Sequence, residues 1–199
     1  MRNEHEIFNN KGISYLKYRE LIENLLAQNL TSGPDQSQQM VDYTKMNLQR
    51  MNRIDKTTIL NQSLIEYLKD TVNELDFLVI TEAWCGDAAQ ITPVLNKIAE
   101  NSNGKLNLKF VLRDENIDLM DNYLTHGGRA IPILIIMNKS GKVVGKWGPR
   151  PAILQELMVE WKKETADMWE LSTKIHAWYA KDKTNHIQQE IEALLKKLN

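Results

Sequence analysis

The stretch TEAWCGDAAQITPVLNKIAE, residues 81–100, holds the only cysteine of the chain. Cys85 follows a tryptophan and precedes a glycine and an acid, at the point where a strand-like apolar run gives way to a helical pattern. Redox loops of this appearance usually carry a second thiol three residues later, in a C-x-x-C motif, and that position is Ala88. The stretch therefore combines the setting of a redox loop with a single sulfur.

The composition bounds the possible classes of function. The chain has 199 residues, enough for a sizeable core, and its formal net charge of −1 offers no basic footprint for nucleic acid or an anionic membrane. No apolar run approaches the roughly 20 residues that a membrane span needs. The N-terminus has no apolar signal region, and one cysteine excludes an intramolecular disulfide framework. We therefore expect a cytoplasmic protein that binds neither nucleic acid nor membrane.

Hydrophobic periodicity predicts an α/β core between helical ends. The predicted elements are helices at 14–26, 40–51 and 60–68, a strand at 76–81, a helix from the Cys85 loop to about residue 100, a strand at 105–114, a short helix at 115–124, strands at 130–138 and 142–148, a helix from Pro151 that runs with a break to about Tyr179, and a helix at 187–198. Ser14 and Thr184 are the candidate caps of the first and last helices. Residues 1–13 are expected to be frayed or loosely docked.

The order of these elements predicts how the strands pair. Strands separated by helices favour parallel pairing, and the late hairpin around the KSG turn adds an antiparallel edge. The sheet is therefore expected to be mixed, with the helices of both ends packed on it. The basic residues of the second helix are interpreted as a solvated face; they are Lys45, Arg50, Arg53 and Lys56.

Two motifs resemble the thioredoxin family. WCGDAAQITPVLNKIA is similar to the W-C-G-P-C active-site helix with its later proline, and GGRAIPILIIMNKSGKVVGKWG is similar to the second signature, in which a cis-proline precedes a hairpin that ends in glycine. The matching positions are Trp84, Cys85, Gly86, Pro93, Pro132 and Gly148. The resemblance implies a thioredoxin-like fold over residues 71–165. It leaves helical extensions at 1–70 and 166–199, whose role it does not explain.

Three departures from the family pattern bear on activity. Ala88 replaces the resolving cysteine, which removes the dithiol–disulfide cycle within one chain. Asp87 replaces the usual proline, and Val79 stands where many thioredoxins bury an aspartate that assists proton transfer. These changes argue against a general protein-disulfide reductase.

The resemblance also identifies the candidate site. Cys85 is the candidate catalytic residue, and the candidate binding residues are Trp84, Gly86, Asp87, Ala88, Ile131, Pro132 and Gly148. In the family the backbone of the residue before the cis-proline, here Ile131, pairs with an extended substrate segment. No metal site is expected, because the four histidines are scattered and Cys85 stands alone. No cofactor is expected either, since neither a P-loop nor a dinucleotide fingerprint occurs.

The sequence does not decide whether Cys85 is a thiol or a thiolate. A helix N-terminus stabilises a thiolate, whereas Asp87 opposes one or caps the helix itself. Arg113 favours a thiolate if it lies near the site, but a solvated strand end is the simpler interpretation, and Arg150 is interpreted as a surface residue. A nucleophilic pair of Cys85 with His126 is conceivable, although nothing in the sequence brings the two together.

Two classes of function follow from these observations. In the first, the protein is a monothiol thiol–disulfide oxidoreductase: Cys85 attacks a protein disulfide or a glutathione adduct, and an external thiol resolves the mixed disulfide. In the second, it is a non-catalytic module that holds an extended peptide or a protein partner in the groove beside Pro132. The sequence names neither the partner nor the oligomeric state, and a dimer is compatible with the extra helices.

Overall fold

The computed structural model describes residues 4–70 and 73–198. In that part of the chain the elements are α1 (Glu4–Asn10), α2 (Tyr15–Ala27), α3 (Gln38–Thr57), α4 (Gln62–Asp70), β1 (Leu75–Thr81), α5 (Gly86–Glu100), β2 (Leu106–Leu112), α6 (Ile117–Met120), β3 (Ile133–Asn138), β4 (Val143–Trp147), α7 (Ala152–Glu164), α8 (Met168–Asp182) and α9 (Asn185–Lys197). The predicted helices and strands are therefore present in the predicted order.

The described strands form one mixed four-stranded sheet of order β2-β1-β3-β4. β1 and β2 are parallel, and β3 pairs antiparallel with both β1 and β4. Every residue of β1 is buried, as its continuous apolar run predicts for a strand covered on both faces. The mixed α/β class is confirmed. The sheet places the ends of β1 and β2 and the start of β3 at one edge, where the Cys85 loop begins.

The expectation of parallel pairing for strands separated by helices is wrong for β3. The helix between β2 and β3 is only α6, four residues long. At about 1.5 Å per residue it spans about 6 Å, whereas the seven-residue β2 spans roughly 23 Å. This helix does not carry the chain back to the far end of the sheet, and the chain enters β3 at the edge where β2 ended.

Alternate residues of the strands face two separate apolar layers. Phe77 and Val79 pack in the larger cluster together with residues of α2–α5 and α7–α9. Leu78 and Ile80 pack in a smaller cluster together with residues of α1 and α6. This two-residue alternation is the pleat of the strand, and it gives each face of the sheet its own cover. The extensions at both ends thus supply part of the core.

Residues 4–13 are docked through buried side chains, more firmly than the frayed or loosely docked N-terminus that was expected; residues 1–3 of that prediction lie outside the described residues. Ile7 and Phe8 of α1 are buried in the smaller cluster. Lys109 donates to the carbonyl of Phe8 at 3.1 Å, and Ile13 forms an isolated bridge with Phe110. These two apolar side chains dock an otherwise polar segment, because they pack on the second face of the sheet.

The helix boundaries follow local capping chemistry. Ser14 Oγ accepts a bond from Lys17 N at 3.3 Å, as predicted for the α2 cap. The predicted break after α7 falls at residues 165–167, where Asp167 caps α8 by accepting from Trp169 N at 2.7 Å. Thr184 precedes α9 but caps no helix N–H: it has a left-handed backbone, and its hydroxyl accepts from Gln188 Nε2 at 2.9 Å.

Candidate functional site

The loop after β1 places Cys85 at the N-cap of α5. Its sulfur accepts from Ala88 N at 3.5 Å, and its thiol donates to the carbonyl of Ile131 at 3.4 Å. The residue is 7% exposed. The thiol is therefore held between the first turn of α5 and the segment that precedes β3.

That segment contains the second predicted motif. The Ile131–Pro132 and Gly148–Pro149 peptide bonds are both cis. Gly148 has φ +117, and a Cβ there would lie 2.4 Å from the carbonyl oxygen of Pro132. Only glycine combines this backbone with such a close approach. The structure thus brings Cys85, Ile131, Pro132 and Gly148 to one edge of the sheet.

The open question about the thiol is answered by its surroundings. Burial raises the pKa of Cys85 to about 12, and the negative charge of Asp87 adds to the rise. The backbone N–H of Ala88 and the charge of Arg150 favour the thiolate but do not offset these two effects. Cys85 is therefore a protonated thiol at neutral pH.

Asp87 is the centre of a buried polar cluster. Its carboxylate pairs with Arg150 Nη2 at 2.6 Å and accepts the Tyr179 hydroxyl bond at 2.9 Å. The interpretation of Arg150 as a surface residue is therefore wrong: the turn after β4 carries it inward to the start of α5. Burial and Asp87 raise the pKa of Tyr179 well above its ordinary value. The contact of Tyr179 with Asp87 could not be predicted from the sequence, because Tyr179 lies on α8, far along the chain from the Cys85 loop.

These residues form the floor of a cleft with a cavity volume of about 400 Å³. The floor consists of residues 84–87 and 129–131, and α3, α7 and α8 form the walls. Apolar side chains line most of the walls; they include Met40, Met158, Leu171 and Ile175. The helical extensions thus cover a groove that would be open in a bare thioredoxin core.

Arg113 and Trp84 form one rim of the cleft. The Arg113 guanidinium lies 4.7 Å from the centre of the Trp84 ring and pairs with Asp114 at 2.8 Å. Arg113 is therefore near the site, but it contacts the indole and not the sulfur. Trp84 is half-buried, and its ring lines the cleft.

Three further polar residues of the cleft were not anticipated from the sequence. Asn47 of α3 donates to the carbonyl of Ala83 at 3.0 Å, and Arg50 Nη1 donates to Asn47 Oδ1 at 2.7 Å. His176 of α8 bonds Gln90 at 3.1 Å through Nδ1, and burial lowers its pKa to about 4. Arg50 is thus not on a solvated face. No spacing signal reveals these contacts, because they join three separate helices.

A buried carboxylate, Glu82, fixes the floor of the cleft to the N-terminal extension. It accepts bonds from the Ser32 hydroxyl and, at 2.9 Å, from Asp114 N. Ser32 Oγ also accepts from Ala83 N at 2.8 Å. Burial raises the pKa of Glu82. This link holds the segment before α3 against the Cys85 loop.

Other features mentioned above lie apart from the site. His126 is exposed in a left-handed turn and does not line the cleft. Within residues 4–70 and 73–198, no group of three or more His, Cys, Asp or Glu side chains is placed to hold a metal ion. In the same ranges no helix is both long enough and apolar enough to cross a membrane.

The profile of the family described as Thioredoxin matches residues 33–167, which is most of the chain. The chain belongs to the thioredoxin family. This match includes the Cys85 loop, the Pro132 segment and helix α3, so one wall of the cleft also lies within it.

Individual relatives of this thioredoxin-family protein are distant. Thioredoxin 1 of Nostoc sp. is 37% identical over 60 residues, 30% of this chain and 53% of that protein. The match thus spans about half the length of that relative. A crystal structure of a protein of unknown function from Pseudomonas aeruginosa covers 100% of both chains, with a TM-score of 0.68 and 14% identity. An HIV epitope scaffold covers 93% of this chain and 99% of its own, with a TM-score of 0.60 and 15% identity. These structures share the fold.

Proposed function

We propose that this thioredoxin-family protein is a non-catalytic binding protein whose cleft, beside Cys85 and Pro132, holds a small organic ligand. The observation that carries the proposal is the state of the thiol. Cys85 is buried, its S–H is bonded to Ile131 O at 3.4 Å, and burial with Asp87 raises its pKa to about 12. A protonated, enclosed thiol is a poor nucleophile.

The shape of the cleft supports a small ligand over the extended segment considered from the sequence. Its volume of about 400 Å³ lies within the range of about 300–1,000 Å³ typical of small-molecule sites. Helices α3 and α8 stand over the floor, where an extended peptide would have to pass. The carbonyl of Ile131, which would pair with such a peptide, already accepts one weak bond, from the Cys85 thiol.

The rate of Cys85 alkylation by iodoacetamide as a function of pH tests this proposal. In the native protein we expect a rate at pH 8 at least about a hundredfold below that in urea, because an ordinary cysteine has a pKa of about 8.5. Asp87→Asn removes the nearby charge, so it should move the inflection to lower pH. Asp42→Asn, at an exposed position of α3, is the matched control and should leave the profile unchanged. An inflection below pH 8 in the wild type would contradict the proposal.

A monothiol oxidoreductase is the second candidate, and one observation favours it. Cys85 lines the cleft, and the neighbouring Arg150 charge favours its thiolate. In that case the Cys85 thiolate would attack a disulfide, form a mixed disulfide and release one thiolate, and an external thiol would then reduce the mixed disulfide. Protein disulfides and glutathione adducts are its candidate substrates. The same alkylation profile separates the two functions.

A further inference from the structure

The walls and floor of the cleft carry more positive than negative charge. Among the described residues that line it, the cationic side chains are Arg50, Arg113, Arg129, Arg150 and Lys162, and the one carboxylate is Asp87. Three of these cations are neutralised: Arg113 by Asp114 at 2.8 Å, Arg129 by Asp121 at 2.7 Å and Arg150 by Asp87 at 2.6 Å. Lys162 is exposed at the rim, where water solvates it.

Among the described cations of the cleft, Arg50 is the one that is half-buried and has no ion-pair partner. No carboxylate of the described chain lies within 4.0 Å of its guanidinium, whose bond is to the neutral amide of Asn47 at 2.7 Å. Burial lowers the pKa of Arg50 and the neighbouring Arg53 lowers it further, while the more distant charge of Asp87 acts in the opposite direction. A half-buried guanidinium that has no ion-pair partner gains stability from an anion in the cleft, because opposite charges attract strongly away from bulk water.

Gly86 lets the His176 ring come close to the first turn of α5, beside Arg50. A Cβ on Gly86 would lie 2.8 Å from His176 Nε2 and 3.8 Å from Arg50 Nη1. Both nitrogens therefore lie close to Gly86 above the first turn of α5, and all three residues line the cleft. Gln90 Nε2 donates to His176 Nδ1, so the neutral imidazole carries its proton on Nε2. The Arg50 guanidinium and the His176 Nε2–H, which border this corner of the cleft, are therefore both hydrogen-bond donors.

We propose that this corner of the cleft, bounded by Arg50, Gly86 and His176, binds the carboxylate of a small monoanionic organic acid. The inference deepens the proposed function and rests on it. One half-buried guanidinium without an ion-pair partner matches one negative charge, whereas a phosphate dianion would leave a charge unpaired in an apolar cleft. The planar guanidinium suits a bidentate carboxylate. The apolar part of the acid lies against Trp84 and Ile131 of the floor and Ile175 of α8.

Calorimetric titration with matched acids and amides tests the inference. The probes are monocarboxylates from acetate to 4-phenylbutyrate, the neutral amide of each, and inorganic phosphate. We expect the larger acids to bind at least about tenfold more tightly than their amides, since bonds to charged groups are the strong ones. Arg50→Gln should remove this difference. Gly86→Ala, whose Cβ would lie 2.8 Å from His176 Nε2 and so displace the imidazole, should weaken binding of the acids.

Two controls separate the specific site from general electrostatics. Arg53→Gln makes the same charge change on the same helix at an exposed position outside the cleft, and it should leave the preference for acids intact. Arg50→Lys keeps the charge but loses the planar fork, so it should retain part of the preference even if Arg50→Gln unfolds. Thermal unfolding of each variant verifies that it is folded.

The outcomes distinguish this inference from the proposed function. Equal binding of acids and amides, tighter binding of phosphate, or an equal loss in Arg53→Gln would overturn the carboxylate site and leave a binding cleft in place. If neither acids nor amides bind at about 20 mM, the carboxylate site is wrong, and the alkylation profile of Cys85 decides the proposed function separately.

Discussion

Asp87 stands where a dithiol thioredoxin loop carries a proline, and its partners explain the chemistry of the thiol beside it. Its carboxylate pairs with Arg150 at 2.6 Å and accepts from Tyr179 at 2.9 Å, and no backbone N–H of the described residues donates to it. Asp87 therefore does not cap α5. Its charge stays next to the sulfur, inside the protein, where it disfavours a second negative charge.

His176 makes stability depend on pH in a defined window. Burial lowers its pKa from 6.5 to about 4, and the charges of Arg50, Arg53 and Arg150 act in the same direction. Between these values the unfolded chain binds more protons than the folded one, so the contribution of His176 is full above pH 6.5 and is lost as the pH falls towards 4. We expect a loss on the order of 2 kcal/mol between pH 7 and pH 5.

Urea unfolding of His176→Asn at these two pH values checks the prediction. The variant should lack this part of the pH dependence. His126→Asn is the control, because His126 is exposed and asparagine tolerates its left-handed backbone. The same slope in wild type and His176→Asn would show that other groups cause the loss.

Individual site residues were predictable to different degrees. Cys85, Pro132 and Gly148 could be placed because family motifs have fixed local spacing. Arg50 and His176 could not, because they meet above Gly86 only when α3 and α8 pack on the same loop. A charged residue with helical spacing looks the same on a solvated face and in a cleft, and the difference is made by tertiary contacts.

At the scale of elements, the first turn of α5 retains the geometry of a dithiol helix. Ala88 is buried in the same small cluster as Cys85, and its N–H lies 3.5 Å from the sulfur. We expect the wild type to reduce insulin disulfides poorly, because Ala88 cannot resolve a mixed disulfide. Ala88→Cys should form an internal disulfide and gain reductase activity below that of a standard thioredoxin, since burial and Asp87 still disfavour the thiolate.

A thiol count after mild oxidation, followed by the insulin assay, measures both effects. Ala89→Cys is the matched control, because Ala89 packs in the other core cluster and faces away from Cys85. Free thiols at both positions of Ala88→Cys after oxidation would show that the loop cannot close.

Element type was easier to predict from the sequence than element direction. Apolar runs and alternation identified β1 to β4, since a strand with buried faces leaves that pattern. The antiparallel direction of β3 depends on the path of the whole connection from β2, and the docking of α1 depends on an uncovered sheet face. Neither is a property of the segment itself, so local pattern does not show it.

At the scale of the molecule, α9 links the C-terminal extension to the N-terminal extension. Gln188 is 1% exposed; its Nε2 donates to the Ile59 carbonyl at 3.1 Å, and its Oε1 accepts from Asn61 N at 2.7 Å. Gln188→Ala would remove the bonds to both part-buried backbone groups and leave a gap at a buried position. We expect it to lower the free energy of unfolding by about 2–3 kcal/mol.

Gln189→Ala provides the comparison for this measurement. It makes the same substitution one position along α9, on the exposed face. Chemical denaturation should show a change within about 0.5 kcal/mol for Gln189→Ala. Equal effects of the two substitutions would mean that helix propensity, and not the bonds of Gln188 to Ile59 and Asn61, causes the loss of stability.

The bond between Ser32 and Glu82 has a practical consequence for expressing parts of this protein. A fragment cut just before β1, where a minimal thioredoxin core would begin, lacks the Ser32 hydroxyl and keeps Glu82. The Glu82 carboxylate would then retain only the Asp114 N–H as a donor, directly below the Cys85 loop. Thiol reactivity measured on such a fragment would describe a different loop. The shortest useful fragment begins upstream of Ser32.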